Sequence, residues 1–304
     1  MKASNFLDIP MHGLKGQLRQ DEPMSRHTSW RAGGCASMFY TPKGKDDLGE
    51  FLSRVPDDAD IAWCGLGSNM LVRDGGFPGV MISTLKGLST LHKAGETQVY
   101  AEAGVPGAKL AKYSVGNSLC DAEFMVGIPG TVGGALAMNA GCFGAETWDI
   151  VGHVDTINRS GEQKTKDRDE FDWGYRYVGK DSDEWFTGAQ FRLTLCDGNL
   201  GKENIRRLLK TRSQTQPIQT ANAGSVFRNP PGDYAARLIE TAGLKNFQIG
   251  QAGISAVHAN FIENKGEATA SDIENLIDHA VEEVERVHGV RLEPEVRIIG
   301  RTTS

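Results

Sequence analysis

Three side chains in three separate stretches have the types that proton transfer and charge stabilisation require. Ser225 lies in NAGSVFRNP (222–230), where a glycine precedes it and two large apolar residues follow. A hydroxyl so flanked would be held rigidly at the edge of a pocket. The stretch is not a hydrolase elbow, because G-x-S-x-G needs glycines that Ala223-Gly224-Ser225-Val226-Phe227 lacks. A serine in this setting is more often a turn residue capping a backbone group. Glu295 follows Pro294 in LEPEVR (292–297); in an extended segment it shares a side with Glu293, which fits a solvated face equally well. Arg176, between Tyr175 and Tyr177 in the GYR stretch, fits a surface cation–π stack. By spacing alone the three define no reaction.

Two glycine-rich stretches offer a different chemistry, in which bare main-chain N–H groups converge on an anion. The longer is GIPGTVGGALAMNAGCFG (127–144). A pyrophosphate is the commonest guest of such a run, and a tight crossover between packed elements is the alternative. Pro129 pre-sets one turn, and Asn139 carries an amide that both donates and accepts. The shorter, GLGSN (65–69), follows the apolar run Ile61-Ala62-Trp63-Cys64. A GxG after a strand invites comparison with the dinucleotide fingerprint, but Met70 stands where the third glycine belongs. The following LVRDGGFPGVMI reads as turn and strand, with no helix to aim at a phosphate, so a Rossmann unit is excluded. The Ser68 hydroxyl and neighbouring N–H groups remain able to hold a phosphate.

Composition sets the frame for these groups. The chain has 304 residues, 39% hydrophobic and 24% charged, with a formal net charge of −6. This is the texture of a globular protein with one large domain or two of ordinary size. The acidic balance argues against a nucleic-acid binder held by a general positive field. Five dispersed cysteines, never spaced CxxC, predict small buried thiols in a reducing compartment and no zinc site. The N-terminus lacks the apolar core of a signal peptide, and no window is apolar enough to span a bilayer. The expected location is cytoplasmic, with residues 1–25 a loosely held arm.

The elements that must position these groups follow from periodicity. Residues 28–40 predict a turn and then a strand; Leu48, Phe51, Leu52 and Val55 share one helix face that Pro56 stops. Strands are expected at 61–64, 99–102, 150–157, 186–195 and 255–263. Helices are expected at 107–119, around Ile205 and Leu208, at 234–244 and at 271–288. The last opens with a capping box of Ser271 and Glu274 and ends at Gly289. Pro217 closes the middle region, and a single domain boundary is expected near Leu200.

Taken together, these stretches resemble the UDP-N-acetylenolpyruvoylglucosamine reductase (UDP-N-acetylmuramate dehydrogenase) family. The matching segments are HTSWRAGG (27–34), GLGSNMLVRDGGFPGVMI (65–82), the 127–144 run, GYR (174–176), NAGSVFRNPPGDYAARLIETAGLKN (222–246), AVHANFIEN (256–264) and LEPEVRIIG (292–300). Any one is weak, but all seven stand in family order and cover nearly the whole chain after Arg26. The short spacing from Arg176 to Phe191 resembles the shorter family type, which lacks an extra tyrosine-bearing loop.

The resemblance implies an α+β fold. Residues 26–200 would form an FAD-binding region of the vanillyl-alcohol oxidase (PCMH) type, and residues 201–304 a C-terminal α/β substrate-binding domain. It implies non-covalent FAD, NADPH as reductant and a UDP-sugar substrate in peptidoglycan precursor synthesis, with no nucleic-acid, membrane or metal partner. Matched to the family's motifs, Gly65, Gly67, Ser68, Asn69, Gly130, Thr131, Gly133, Gly134 and Asn139 are the cofactor residues. Arg176 and Glu295 match the groups that stabilise an enolate-like charge, and Ser225 matches the proton donor. Asn229, Gln216 and Asn260 match the UDP-sugar pocket. The chain departs from the family after Arg176, where Tyr177-Val178-Gly179-Lys180 replaces a serine and an aromatic, and near Asp121, where a glycine is missing. An FAD-dependent sugar or alcohol oxidase of the same cofactor fold, and a non-catalytic UDP-sugar sensor, are the alternatives. Intact Ser225 and Glu295 weigh against the sensor, and the absence of a histidine or cysteine within GLGSN weighs against a covalent-flavin oxidase.

Overall fold

In the computed structural model, which describes residues 9–303, the chain alternates between two compact units. Residues 9–19, 38–66 and 79–211 belong to the first, and residues 20–37, 67–78 and 212–303 to the second. The single boundary expected near Leu200 instead falls inside a helix, Gly198–Thr215. Pieces of the N-terminal third return to the C-terminal unit, a path that local composition does not record.

In the first unit, helix α1 (Lys45–Leu52) carries Asp46 and Asp47 in its first turn, where negative charge favours the helix dipole. Leu48, Phe51, Leu52 and Val55 are buried, and Tyr40 stacks on Phe51 at 3.7 Å between centroids. Strand Ile61–Cys64 runs parallel to Phe77–Ser83, pairing Ile61 with Val80 and Cys64 with Ser83. A five-stranded antiparallel sheet orders Gln163–Asp167, Val151–Asn158, Glu184–Arg192, Gln98–Glu102 and Leu91–Lys93. Helices α2 (Gly107–Gly116) and α3 (Val132–Met138) contribute Leu110, Val132 and Leu136 to its core, beside Val99, Trp148 and Phe191. Helix α4 (Gly198–Thr215) buries Ile205 and Leu208, while Leu209 is exposed.

Two expectations fail here. Residues 1–8 of the expected loose arm lie outside the described residues, but the remainder of the arm is tied down. The Asp47 carboxylate accepts from Lys15 N–H at 2.6 Å and Gly16 N–H at 3.2 Å, and the Arg54 guanidinium donates to the Pro10 and His12 carbonyls. Gln17–Pro23 then joins a four-stranded sheet. Ile9, Met11, Leu14 and Leu18 also pack on the core of this unit, so apolar contacts and polar anchors together hold a segment whose apolar residues show no regular helix or strand period. The cysteines are the second correction. Cys120 and Cys196 form a disulfide, brought together by the antiparallel pairing of Thr194 with Cys120 and Leu195 with Leu119. No local motif signals a bridge between residues 76 apart in sequence. Of the others, Cys64 is buried as expected, Cys142 is half-buried and Cys35 exposed.

In the second unit a four-stranded antiparallel sheet orders Ala221–Asn222, Ile262–Asn264, Ala252–Ile254 and Gln248–Ile249. Helices α5 (Ala235–Thr241) and α6 (Ala270–His288) supply Leu238, Ile273, Leu276, Ile277, Ala280 and Val284 to the core. Trp30 is fully buried there, its indole N–H donating to the Ile262 carbonyl at 2.7 Å. Met70–Val72 runs parallel to Arg297–Ile299, so a strand and not a helix follows GLGSN, as the exclusion of a Rossmann unit required. The strand expected over 255–263 is instead a loop, closed by Ser255 N–H to the Phe261 carbonyl, and only Ile262–Asn264 is extended. Among the described residues no helix is long and apolar enough to cross a membrane.

Candidate active site

The two glycine stretches meet in the first unit. Strand Ile61–Cys64 delivers Gly65 against Thr131, the residue preceding α3, so closely that a Cβ on Gly65 would fall on the Thr131 hydroxyl. Only glycine fits there. The 130–133 turn lies along residues 103–107 through three main-chain hydrogen bonds: Gly107 N–H to the Gly130 carbonyl at 3.0 Å, Val132 N–H to Val105 at 2.8 Å and Gly133 N–H to Ala103 at 2.9 Å. These bonds consume the N–H groups of Val132 and Gly133. Among the described residues, no hydrogen bond engages the Thr131 hydroxyl or the Gly134 N–H, and Gly134 is exposed. Gly65 is thus brought against the turn of Gly130, Thr131, Gly133 and Gly134, where a Cβ on Gly65 would crowd Thr131; bare main chain of this kind suits a phosphate-bearing cofactor.

Asn139 ends the same stretch in the left-handed conformation, φ 44°, and is wholly buried. Its carboxamide donates to Glu146 Oε2 at 2.8 Å and the Gly174 carbonyl at 2.9 Å, and accepts from Trp148 N–H at 3.0 Å. One of those bonds ties the side chain to the hairpin of Trp173–Gly174 and Tyr177–Val178, and the other two tie it to the segment of Glu146 and Trp148. Its carbonyl takes Arg176 Nη1 at 3.3 Å, and the Gly141 carbonyl takes Nη2 at 3.0 Å. The guanidinium also lies 5.2 Å from the Tyr175 ring centroid. The cation–π contact expected on the surface exists, while Arg176 itself is half-buried and aimed by the glycine stretch.

The second unit holds the other half of the shorter turn. Gly67 is left-handed, φ 60°, and a Cβ there would collide with the His27 carbonyl. Ser29 N–H donates to the Gly67 carbonyl at 3.0 Å. Ser68 makes no hydrogen bond among the described residues. Asn69 sends its Nδ2 to the Glu295 carbonyl at 3.0 Å and accepts Arg297 N–H on its own carbonyl at 3.1 Å.

Ser225 and Glu295 are joined through main chain in this unit. Phe227 and Pro294 form an antiparallel bridge, with Glu295 N–H donating to the Val226 carbonyl at 2.7 Å and Arg228 N–H to Glu293 at 3.0 Å. Ser225 is half-buried, its hydroxyl engaged by no group among the described residues. Glu295 is half-buried and Glu293 exposed, which separates a pair the sequence left on one face. Asn222, a residue sequence reasoning passed over, sets the turn before Ser225: its Oδ1 accepts Gly224 N–H at 3.0 Å and its Nδ2 donates to the Pro217 and Thr220 carbonyls. The signal was present as an Asn two residues before a glycine.

The three residues assigned to the sugar pocket differ in what they touch. Asn260 is 3% exposed, and its carboxamide accepts from Phe227 N–H at 2.9 Å and donates to the Phe227 carbonyl at 2.8 Å. It clamps the segment that follows Ser225. Burial holds the His258 imidazole below its ordinary pKa, and its Nδ1 accepts Asn260 N–H at 3.3 Å. Asn229 is exposed and its Oδ1 accepts from Ala235 N–H at the start of α5. Gln216 accepts from Arg212 Nε at 3.2 Å.

With this geometry in place, similarity to known proteins defines a class. Residues 36–166 match the model of an FAD binding domain, and residues 216–299 that of the UDP-N-acetylenolpyruvoylglucosamine reductase C-terminal domain. The pair marks a flavin-binding oxidoreductase of α+β architecture. The chain is 52% identical to the UDP-N-acetylenolpyruvoylglucosamine reductase of Alkalilimnicola ehrlichii, over 95% of this chain and 97% of the relative. Against that of Thiobacillus denitrificans it is 50% identical, over 94% and 93%. The crystal structure of UDP-N-acetylenolpyruvylglucosamine reductase from Thermus caldophilus matches with a TM-score of 0.80 at 28% identity, covering 93% of this chain and 98% of that one. The chain belongs to the UDP-N-acetylenolpyruvoylglucosamine reductase family.

Proposed function

We propose that this protein reduces the enolpyruvyl group of UDP-N-acetylenolpyruvoylglucosamine to give UDP-N-acetylmuramate, with NADPH as reductant and FAD held non-covalently, as a cytoplasmic step of peptidoglycan precursor synthesis. FAD, when bound, would supply hydride transfer from NADPH to the terminal carbon of the enolpyruvyl double bond. The bare turn of Gly65, Gly130, Thr131 and Gly134, with Gly67 and Ser68, would hold its pyrophosphate. Charge that develops on the substrate is met by two groups. Arg176, aimed by the Asn139 and Gly141 carbonyls, pairs with the substrate carboxylate, and the Glu295 carboxyl, in its protonated form, donates a hydrogen bond to it. The Ser225 hydroxyl gives its proton to the neighbouring carbon, completing the addition of one hydride and one proton across the bond. A serine is a weak acid, but a carbanion-like carbon is basic enough to take its proton when the geometry is fixed.

The observation that carries this reading is the 2.7 Å bond from Glu295 N–H to the carbonyl of Val226, which fixes the acid segment against the residue after Ser225. Ser225→Ala tests it in anaerobic stopped-flow. Bleaching of the flavin by NADPH should stay near the native rate, while recovery of colour on adding UDP-N-acetylenolpyruvoylglucosamine slows by roughly 10²–10⁴-fold. An equal loss in both half-reactions would exclude the proton-donor role. Recovery of colour with O₂ and a simple sugar would point to an oxidase instead.

A further inference from the structure

The glycine-turn asparagine touches the acid segment of the same unit. Asn69 Nδ2 donates to the Glu295 carbonyl at 3.0 Å, and the Asn69 carbonyl accepts Arg297 N–H at 3.1 Å. One asparagine therefore brackets Glu295 and Val296 with two hydrogen bonds. Just beyond it, Met70, Leu71 and Val72 pair in parallel with Arg297, Ile298 and Ile299. From the opposite direction Glu295 N–H is taken by the Val226 carbonyl. The main chain of Glu295 thus has its donor spent on the Ser225 segment and its acceptor spent on Asn69. We propose that Asn69 is a positioning residue for Glu295: its carboxamide sets where the acid is presented to the substrate, a role separate from contact with the cofactor. This rests on the assignment of Glu295 to the charge-stabilising role above.

The physical basis is that the Glu295 segment has no regular ladder of its own. It lies between an isolated bridge at Pro294 and a strand that starts at Arg297. The Asn69 bond restrains the carbonyl end of Glu295 in this stretch, and its loss removes that restraint. Misplacement by about 1 Å of a group that acts only in the transition state costs up to about 100-fold in rate. The bond is made to the carbonyl, so it survives removal of the Glu295 side chain, and the two contributions can be separated.

The test is a double-mutant cycle read in the second half-reaction. Native protein, Asn69→Ala, Glu295→Ala and the double variant are purified with excess FAD, reduced with NADPH, and reoxidised with UDP-N-acetylenolpyruvoylglucosamine. Asn69→Ala should slow reoxidation on the order of tenfold or more in the native background, and by less than about twofold once Glu295 is alanine. The same factor in both backgrounds, or no slowing in the native one, overturns the inference while leaving Glu295 its role. If Glu295→Ala itself reoxidises at the native rate, the role of Glu295 falls and the inference with it. Should Asn69→Ala fail to fold, Asn69→Ser, polar but too short to reach the carbonyl, carries the same cycle.

Discussion

Asn260 spends a buried carboxamide inside the protein. Its position in AVHANFIEN suggested the sugar pocket, yet both ends of its amide are spent on Phe227. An asparagine bonded in this way holds the segment after Ser225 in place. Asn260→Ala would leave a buried N–H and a buried carbonyl without partners, at about 1–3 kcal/mol for each group. The expected outcome is a lower melting temperature together with slower flavin reoxidation by the enolpyruvyl substrate. A higher KM with unchanged melting would instead return Asn260 to the pocket. Asn139 repeats the lesson: residue type predicted an amide that donates and accepts, and it does both, but toward Glu146, Gly174 and Trp148.

Among the elements, α6 is where local and tertiary rules compete. The sequence predicted a capping box of Ser271 with Glu274, but the structure caps α6 with Thr269 and Asp272 instead. The reason lies 196 residues away, where the Asp74 carboxylate accepts Ala270 N–H at 2.9 Å and, from Ser271, both the N–H at 2.8 Å and the hydroxyl at 2.6 Å. Arg73 meanwhile takes Glu274 with two guanidinium nitrogens. Ser271 and Glu274 are therefore occupied, and the N-cap lies two residues earlier, at Thr269. Burial alone would raise the Asp74 pKa, but the bonds from Ser271 and Ala270 outweigh it and hold the carboxyl below its ordinary value. A depressed carboxylate contributes stability that is complete above its unfolded pKa of about 3.9 and is lost as pH falls through the folded value. Asp74→Ala should therefore cost about 1–2 kcal/mol at pH 7, as loss of a helix cap does. The deficit should shrink below about pH 4. Denaturant melts at pH 7 and pH 3 giving the same deficit would show that the carboxylate charge is not what caps α6. The loop at 255–261 has a related cause: the apolar alternation reads as a strand, but the chain turns there, with His258 accepting Asn260 N–H and the Asn260 carboxamide engaging Phe227.

For the whole molecule, the proposed cofactor is also a source of stability, since a ligand bound only by the folded state raises stability with its concentration. At 100 times its dissociation constant FAD would add about 2.7 kcal/mol. The melting temperature of flavin-free protein should climb steadily with added FAD, and Gly65→Ala, whose new methyl would land on Thr131, should abolish the climb and yield colourless protein. A Gly65→Ala protein that is still yellow would remove the glycine cradle from the cofactor's site.

What the amino-acid sequence determined by itself was mostly local chemistry or apolar periodicity. The buried face of α1, the strand–turn–strand at GLGSN, the long amphipathic α6 ending at Gly289 and the seven family stretches are all visible without coordinates. Tertiary structure decided what depends on polar groups distant in sequence: the Asp47 clamp on residues 15 and 16, the Cys120–Cys196 bridge, the choice of Thr269 as cap, and the meeting of Asn69 with Glu295 across 226 positions. Apolar burial repeats with the period of a helix or strand and so leaves a readable trace. A hydrogen bond or disulfide pairs two particular residues once, at any separation, and only the folded chain reveals which two.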